Sequence, residues 1–276
     1  MKNLDSKTVE GFGEEWGAFD QSQLSIAEQE LLFDRYFQVF RWDLIDQTSV
    51  GFDLGCGSGR WDRLLAPHVG HLHCIDASAL ALDVARQNLR GVSNVSFHNF
   101  SVGEPVFPSR SMDFGISLGV LHHVPDTQLA IRYCVEMLKI GGTILLYLYY
   151  RFDNRPVWFR YLWAAADVSR TIIARLPFRL RLAATSVIAA AIYLPFARLA
   201  AILEHFRFRI LNFPLASYRH LSFYTMRTDA LDRFGTRLEH RFTRGEIQEM
   251  LEQSGCGDIR FSPAEPYWCV SAVRVA

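Results

Sequence analysis

The chain has 276 residues, half of them apolar, which is enough to bury a full core and to carry one large domain with an insertion. Lys plus Arg equals Asp plus Glu at 29 each, so the whole molecule has no excess positive charge with which to hold a phosphate backbone, and nucleic acid is not expected as a partner. The five cysteines, Cys56, Cys74, Cys134, Cys256 and Cys269, are odd in number and scattered, which excludes a disulfide-stapled secreted domain and fits a reducing cytoplasm.

The neutral total hides an asymmetry. Residues 1–50 carry ten acids against four bases, whereas 151–210 carry ten arginines against Asp153, Asp167 and Glu204. The first residues run into acidic, amphipathic sequence with no apolar h-region, so no signal peptide is expected.

In chain order, 22–46 place apolar residues at helical spacing, with Ser22 or Ser25 as N-cap, and predict one or two helices. Residues 50–54 then read as a buried strand, and 61–66 as a helix entered through a glycine-rich turn. The alternation continues with a strand at 71–75, a helix at 79–89, strands at 95–100 and 112–117, a helix at 127–138 and a strand at 143–149. Such alternation predicts a parallel sheet covered by helices on both faces. From 150 to about 242 it stops. That stretch is rich in Arg, Ala, Leu and aromatics, and prolines at 156, 177, 195 and 214 are expected to break it into several helices. A helix at 243–254, with Thr243 and Glu246 at capping-box spacing, and strands near 258–261 and 267–273 close the pattern as an antiparallel hairpin. The expected organisation is an N-terminal segment (1–49), an α/β core (50–150), a helical insertion (151–242) and a C-terminal helix and strands (243–276).

The sharpest motif is Asp53-Leu54-Gly55-Cys56-Gly57-Ser58-Gly59, placed between a predicted strand and a predicted helix. Its glycines permit backbone angles other residues avoid and remove Cβ atoms where a ligand must approach. The spacing is G-x-G-x-G rather than the G-x-G-x-x-G of dinucleotide sites, so the ligand need not carry phosphate. Asp76, at the end of the next strand, can accept hydrogen bonds from both hydroxyls of a ribose. Together the two features suggest an adenosine ligand.

From about Val50 to Tyr149 the sequence resembles the class I S-adenosylmethionine (SAM)-dependent methyltransferases, specifically the small-molecule group labelled type 11. The resemblance rests on four pieces in the family's order. These are Phe52 to Gly59, Ile75-Asp76, Ser111-Met112-Asp113-Phe114 with Ser117 to Asp126, and Leu138 to Leu145. It implies a Rossmann-like, mostly parallel seven-stranded sheet that ends in an antiparallel hairpin. It also implies SAM as cofactor, with Asp53, Gly55, Cys56, Gly57 and Gly59 facing its methionine part, Asp76 and Ala77 at the ribose, and Ser117 and Leu118 flanking the sulfonium. Where many relatives carry an aspartate for adenine, this chain has Ser101 followed by Val102. The stretch from Gly11 to Trp16 is similar to an aromatic segment that folds over the cofactor in some of these enzymes; Trp16 and Phe12 then either cover the sulfonium or pin the N-terminus to the core.

Methyl transfer needs alignment and water exclusion more than acid–base groups. His122 and His123, at the end of the fourth core strand, are read first as shaping the site and second as general-base candidates. Tyr149 and Tyr150, just after the fifth core strand, are the other catalytic candidates. Tyr218, His220 and Tyr224 either line an acceptor pocket or form core. The histidines form no recognisable ligand set, so no metal is expected.

The insertion has three readings: a lid over an apolar acceptor, taken first; a peripheral membrane contact through 171–203; or a homodimer interface. Its uncharged stretch of fifteen residues at 183–197 is short for a bilayer span. The expected function is methylation of a small or lipid-like acceptor at O, N or C. The alternatives are another SAM chemistry such as internal cyclisation, or a non-catalytic SAM-binding scaffold, with an NAD-dependent oxidoreductase further off.

Overall fold

The computed structural model describes residues 3–104 and 107–276. They form two compact units: Met1–Asp20 with Gln29–Arg151 and Leu238–Ala276, and Gln21–Glu28 with Phe152–Arg237.

The first unit is built on the expected seven-stranded sheet. Its strands are β1 (Val50–Leu54), β2 (His71–Asp76), β3 (Val95–Asn99), β4 (Met112–Leu118), β5 (Leu138–Tyr147), β6 (Cys256–Phe261) and β7 (Cys269–Arg274), in the order β3-β2-β1-β4-β5-β7-β6. β1 to β5 are parallel, and β7 runs antiparallel to both β5 and β6. A reciprocal fit sets the β1–β4 register. Gly51 lies beside Phe114 and Phe52 beside Gly115, so each phenyl ring occupies the space a Cβ would take on the facing glycine. Helices α1 (Ser6–Ala18), α3 (Asp62–Leu65), α4 (Ala79–Asn88), α5 (Thr127–Met137) and α10 (Arg244–Gln253) belong to this unit, and α2 (Ile26–Phe37) has its last three-quarters in it. Their starts follow the sequence. Ser78 caps α4, Asp126 caps α5 by accepting the Leu129 N–H at 2.9 Å, and Thr243 with Glu246 forms the predicted capping box.

The chain crosses back over the sheet between β3 and β4, which makes the carboxyl ends of β1 and β4 the topological switch point where open α/β sheets hold ligands. Two expectations about this unit change. α1 is a regular helix capped by Asp5, hidden in the sequence by Gly11, Gly13 and Gly17. β5 starts at Leu138, which pairs with Met112, and ends at Tyr147, leaving Tyr149 and Tyr150 beyond the strand.

In the second unit, α6 (Val157–Ile173) and α7 (Phe178–Ile188) each start directly after a proline, Pro156 and Pro177. Pro195 was expected to break the chain, and it does not. A π turn at Ala189–Tyr193 joins α7 to α8 (Leu194–His205) in one helix of 28 residues, the wider turn shifting the carbonyls that a proline ring would strike. α9 (Phe223–Gly235) packs against α7 and is capped by Ser222. The Glu28 carboxylate holds that cap by accepting from Ser222 N at 2.9 Å and Thr225 Oγ1 at 2.7 Å.

Candidate functional site

The turn leaving β1 is tied down from both sides. Gly55 N and Cys56 N donate to the Ile75 carbonyl at 2.7 and 3.0 Å, and Gly57 N donates to Asp76 Oδ2 at 2.9 Å. Asp76 Oδ1 accepts the Ser78 N–H at 2.8 Å, so one carboxylate joins the glycine turn to the start of α4. Burial raises the Asp76 pKa to about 6, while the Ser78 and Gly57 N–H groups pull it down. Gly55, Gly57 and Gly59 have φ of +84°, +54° and +72°, the left-handed region that excludes most side chains.

Above this turn lies a partly enclosed cavity that remains open to solvent. The sheet supplies Leu54-Gly55, Asp76-Ala77 and Leu118-Gly119-Val120; Phe100 and Val102 follow β3, and His123 and Val124 follow β4. α1 supplies the cover, through Thr8, Val9, Phe12 and Trp16. The Phe12 ring lies 5.0 Å from that of His123. Trp16 sits so close to the turn that a Cβ on Gly57 would come within 2.7 Å of its Nε1. The Arg60 guanidinium lies 5.7 Å from the Trp16 ring and 4.2 Å from that of Trp61.

Several residues expected on the wall stand behind it. Asp53 is fully buried behind the wall beside the equally buried Asp62, the two carboxyls within hydrogen-bonding reach of each other and Asp62 also of the Cys74 thiol. Burial raises both, Asp62 to about 7 and Asp53 well above the carboxylate range, where repulsion from Asp62 adds to the shift. Two carboxyls this close and dry share protons rather than ionise together. Cys56 is buried against Cys74, which, with burial, pushes its thiol well up, and all five cysteines are free and buried. Ser117 Oγ donates to the Leu54 carbonyl at 2.8 Å, pinning β4 to β1. Ser101 lines a neighbouring pocket with Glu104 and Tyr133, its N–H donating to Glu104 Oε2 at 3.0 Å, and Phe100 takes the cavity wall in its place.

The two histidines differ. His123 lies on the wall, and its Nδ1 is 2.7 Å from the Leu238 carbonyl; a carbonyl only accepts, so Nδ1 carries the hydrogen and the neutral ring keeps its lone pair on Nε2. His122 is fully buried and stacks on Tyr149 at 4.0 Å. Burial holds it neutral, well below its ordinary pKa, with further lowering from His123, Arg241 and His240. Tyr149 and Tyr150 were expected to open into the crevice. Instead Tyr149 is buried against His122, with Arg241 5.1 Å from its ring, and Tyr150 packs on Tyr267 at 5.8 Å.

Tyr218, His220 and Tyr224 belong to the second unit and are tied within it. Tyr218 Oη donates to Asp229 Oδ2 at 2.8 Å, His220 Nε2 lies 2.9 Å from Glu204 Oε2, and Tyr224 Oη accepts the Gln21 N–H at 2.8 Å. Among the described residues no group of three or more His, Cys, Asp or Glu is arranged to hold a metal.

The sequence model of the family described as a methyltransferase domain matches residues 52–146, the segment that supplies the turn and most of the wall. A ubiquinone biosynthesis O-methyltransferase of Aromatoleum aromaticum is 31% identical over 94 residues, covering 33% of this chain and 40% of that protein. Phosphoethanolamine N-methyltransferase 2 of Caenorhabditis elegans is 31% identical over 101 residues, or 35% of this chain and 23% of that one. The chain therefore spans less than half the length of these relatives. An O-methyltransferase family protein from Burkholderia thailandensis superimposes with a TM-score of 0.55 at 13% identity, over 94% of this chain and 59% of that one, a likeness of fold.

Proposed function

We propose that this chain, whose residues 52–146 match the methyltransferase-domain family, binds SAM in the cavity under α1 and transfers its methyl group to a small or amphiphilic acceptor, in the cytoplasm. The observation that carries this reading is the convergence of three features on one cavity: a glycine turn bare of Cβ atoms, the Asp76 carboxylate and an aromatic cover.

Each feature fits a part of the cofactor. A Cβ on Gly55 would collide with Val120, so the glycine lets that side chain pack directly on the turn, and Gly55 and Val120 together line the cavity where the methionine chain would lie. Asp76 uses one lone pair of each oxygen on the protein and has another on each for a ribose hydroxyl. Phe100, Ala77 and Val102 offer an apolar slot for adenine, and Phe12 and Trp16 offer aromatic faces to a sulfonium. When bound, SAM supplies an electrophilic methyl carbon on a good leaving group.

The chain's own contribution is placement and dryness. α1 covers the cavity and limits water, while Leu118-Gly119-Val120 shape the floor. Where the acceptor must lose a proton, His123 takes it at Nε2, since Nδ1 is committed to Leu238. His122 and Tyr149 buttress that ring from behind, as its neighbours at 4.0 and 5.6 Å.

The test is product mass. Incubation with SAM and a pool of candidate acceptors should yield S-adenosylhomocysteine together with a product heavier by one methylene. Loss of SAM without S-adenosylhomocysteine would remove methyl transfer from the account.

A further inference from the structure

Most of the large apolar side chains that the described residues leave exposed fall between Val157 and Phe223. The long helix of α7, the π turn and α8 shows why. Its buried face is Arg181, Thr185, Ala189, Tyr193, Ala197 and Ala200, spaced three or four apart and turned toward its own unit. The outer face carries Leu180, Val187, Ile192, Phe196, Leu199 and Ile202, at 41–65% exposure, with no charged residue between Arg181 and Arg198. The most apolar 18-residue window of the helix has a mean hydropathy of 1.9, and only 22% of it is buried. A soluble monomer rarely leaves so long an apolar stripe in water.

The charges around the stripe give its partner. Arg160, Arg175, Arg179, Arg207 and Arg209 are exposed, and none has a carboxylate within ion-pair distance among the described residues. The acids nearby are engaged: Asp167 with Arg170 at 2.6 Å, and Glu204 with Arg219 at 2.8 Å. An apolar strip bordered by unpaired arginines matches an anionic bilayer surface, where acyl chains take the strip and headgroup phosphates take the guanidinium groups. Another protein surface would have to supply both an apolar groove and a ring of acids.

We propose that the outer face of residues 178–205 is a peripheral docking surface for anionic membrane lipid. The helix lies along the surface and does not cross it. At 28 residues it is about 42 Å long, enough to span, yet its inner face is committed to protein, with Arg181 buried near Gly235 and Thr185 buried beside it. The proposal is independent of the methyl-transfer reading and stands or falls without it.

The experiment is co-sedimentation of the full chain with vesicles of phosphatidylcholine alone and of phosphatidylcholine mixed with phosphatidylglycerol, at low and high salt. Binding is expected to the mixed vesicles, with weak binding to phosphatidylcholine alone and weakening by salt. A Val187→Glu, Leu199→Glu variant should lose binding, and Arg179→Glu and Arg207→Glu should each weaken it about fivefold or more, the effect of one basic residue at an anionic surface. Both side-chain pairs are exposed, so the melting temperature should hold and a loss would not reflect misfolding. No binding to mixed vesicles would overturn the proposal. So would binding that ignores all these substitutions, or a stable dimer that Val187→Glu, Leu199→Glu dissociates and that does not bind vesicles.

Discussion

The Asp76 carboxylate accepts the Gly57 N–H at 2.9 Å, so the group proposed to hold the ribose also fixes the glycine turn proposed to hold the methionine part. Its pKa, raised by burial to about 6, makes this link sensitive to pH. The ionised form is the better acceptor, so SAM affinity should be level above pH 7 and should weaken as pH falls through 6. Titrations between pH 5 and 8 test this, and affinity that rises on acidification would contradict it.

Gly57 is the position where the turn and the cover meet. Alanine there must adopt φ near +54° and bring a Cβ within 2.7 Å of Trp16 Nε1. The backbone conformation alone costs about 1–2 kcal/mol. Gly57→Ala should therefore lower the melting temperature and weaken SAM binding. Adding Trp16→Ala should restore part of the stability and none of the affinity, because the cover is then gone. A Gly57→Ala protein with unchanged melting and binding would show that Trp16 does not rest on the turn.

For His123, substitution by Gln keeps a polar side chain near Leu238 and removes the base. If His123 takes the acceptor's proton, kcat should fall by about a hundredfold or more with little change in SAM affinity. The acidic limb of the pH–rate profile should disappear at the same time. A purely structural role would instead change SAM affinity and leave the limb in place.

The Asp53–Asp62 pair predicts the pH dependence of stability. Asp62 rises from 3.8 to about 7, so its contribution is fully present below its unfolded pKa and is lost as pH rises from about 4 through 7. Asp62→Asn removes the charge that burial opposes. The variant's melting temperature should gain on wild type between pH 5 and 8, and a gap that is constant with pH would show that Asp62 does not titrate in this window.

The sheet was legible because its strands are short apolar runs closed by recognisable turns; the register of β1 on β4 was not, because it depends on the mutual fit of Gly51 with Phe114 and Phe52 with Gly115. The turn and Asp76 were legible because φ above zero demands glycine and a strand-end carboxylate is rare. Burial was not legible. Asp53 and Ser117 look identical in sequence whether they face a cavity or the core behind it, and Tyr149 and Tyr150 follow β5 as expected but pack on His122 and Tyr267. The wall residues Phe100 and Val9 carried only an apolar side chain as signal. Pro195 misled for a different reason: the rule that it breaks a helix assumes α geometry on its N-terminal side, and a π turn precedes it here.

The most direct test is a calorimetric titration of SAM and S-adenosylhomocysteine into wild type and Asp76→Ala, with melting curves to show that both are folded. Saturable binding that Asp76→Ala weakens about tenfold or more is predicted, the scale of one or two hydrogen bonds to a charged group. No binding by folded wild type, or equal binding by both proteins, would contradict the assignment of this cavity to SAM.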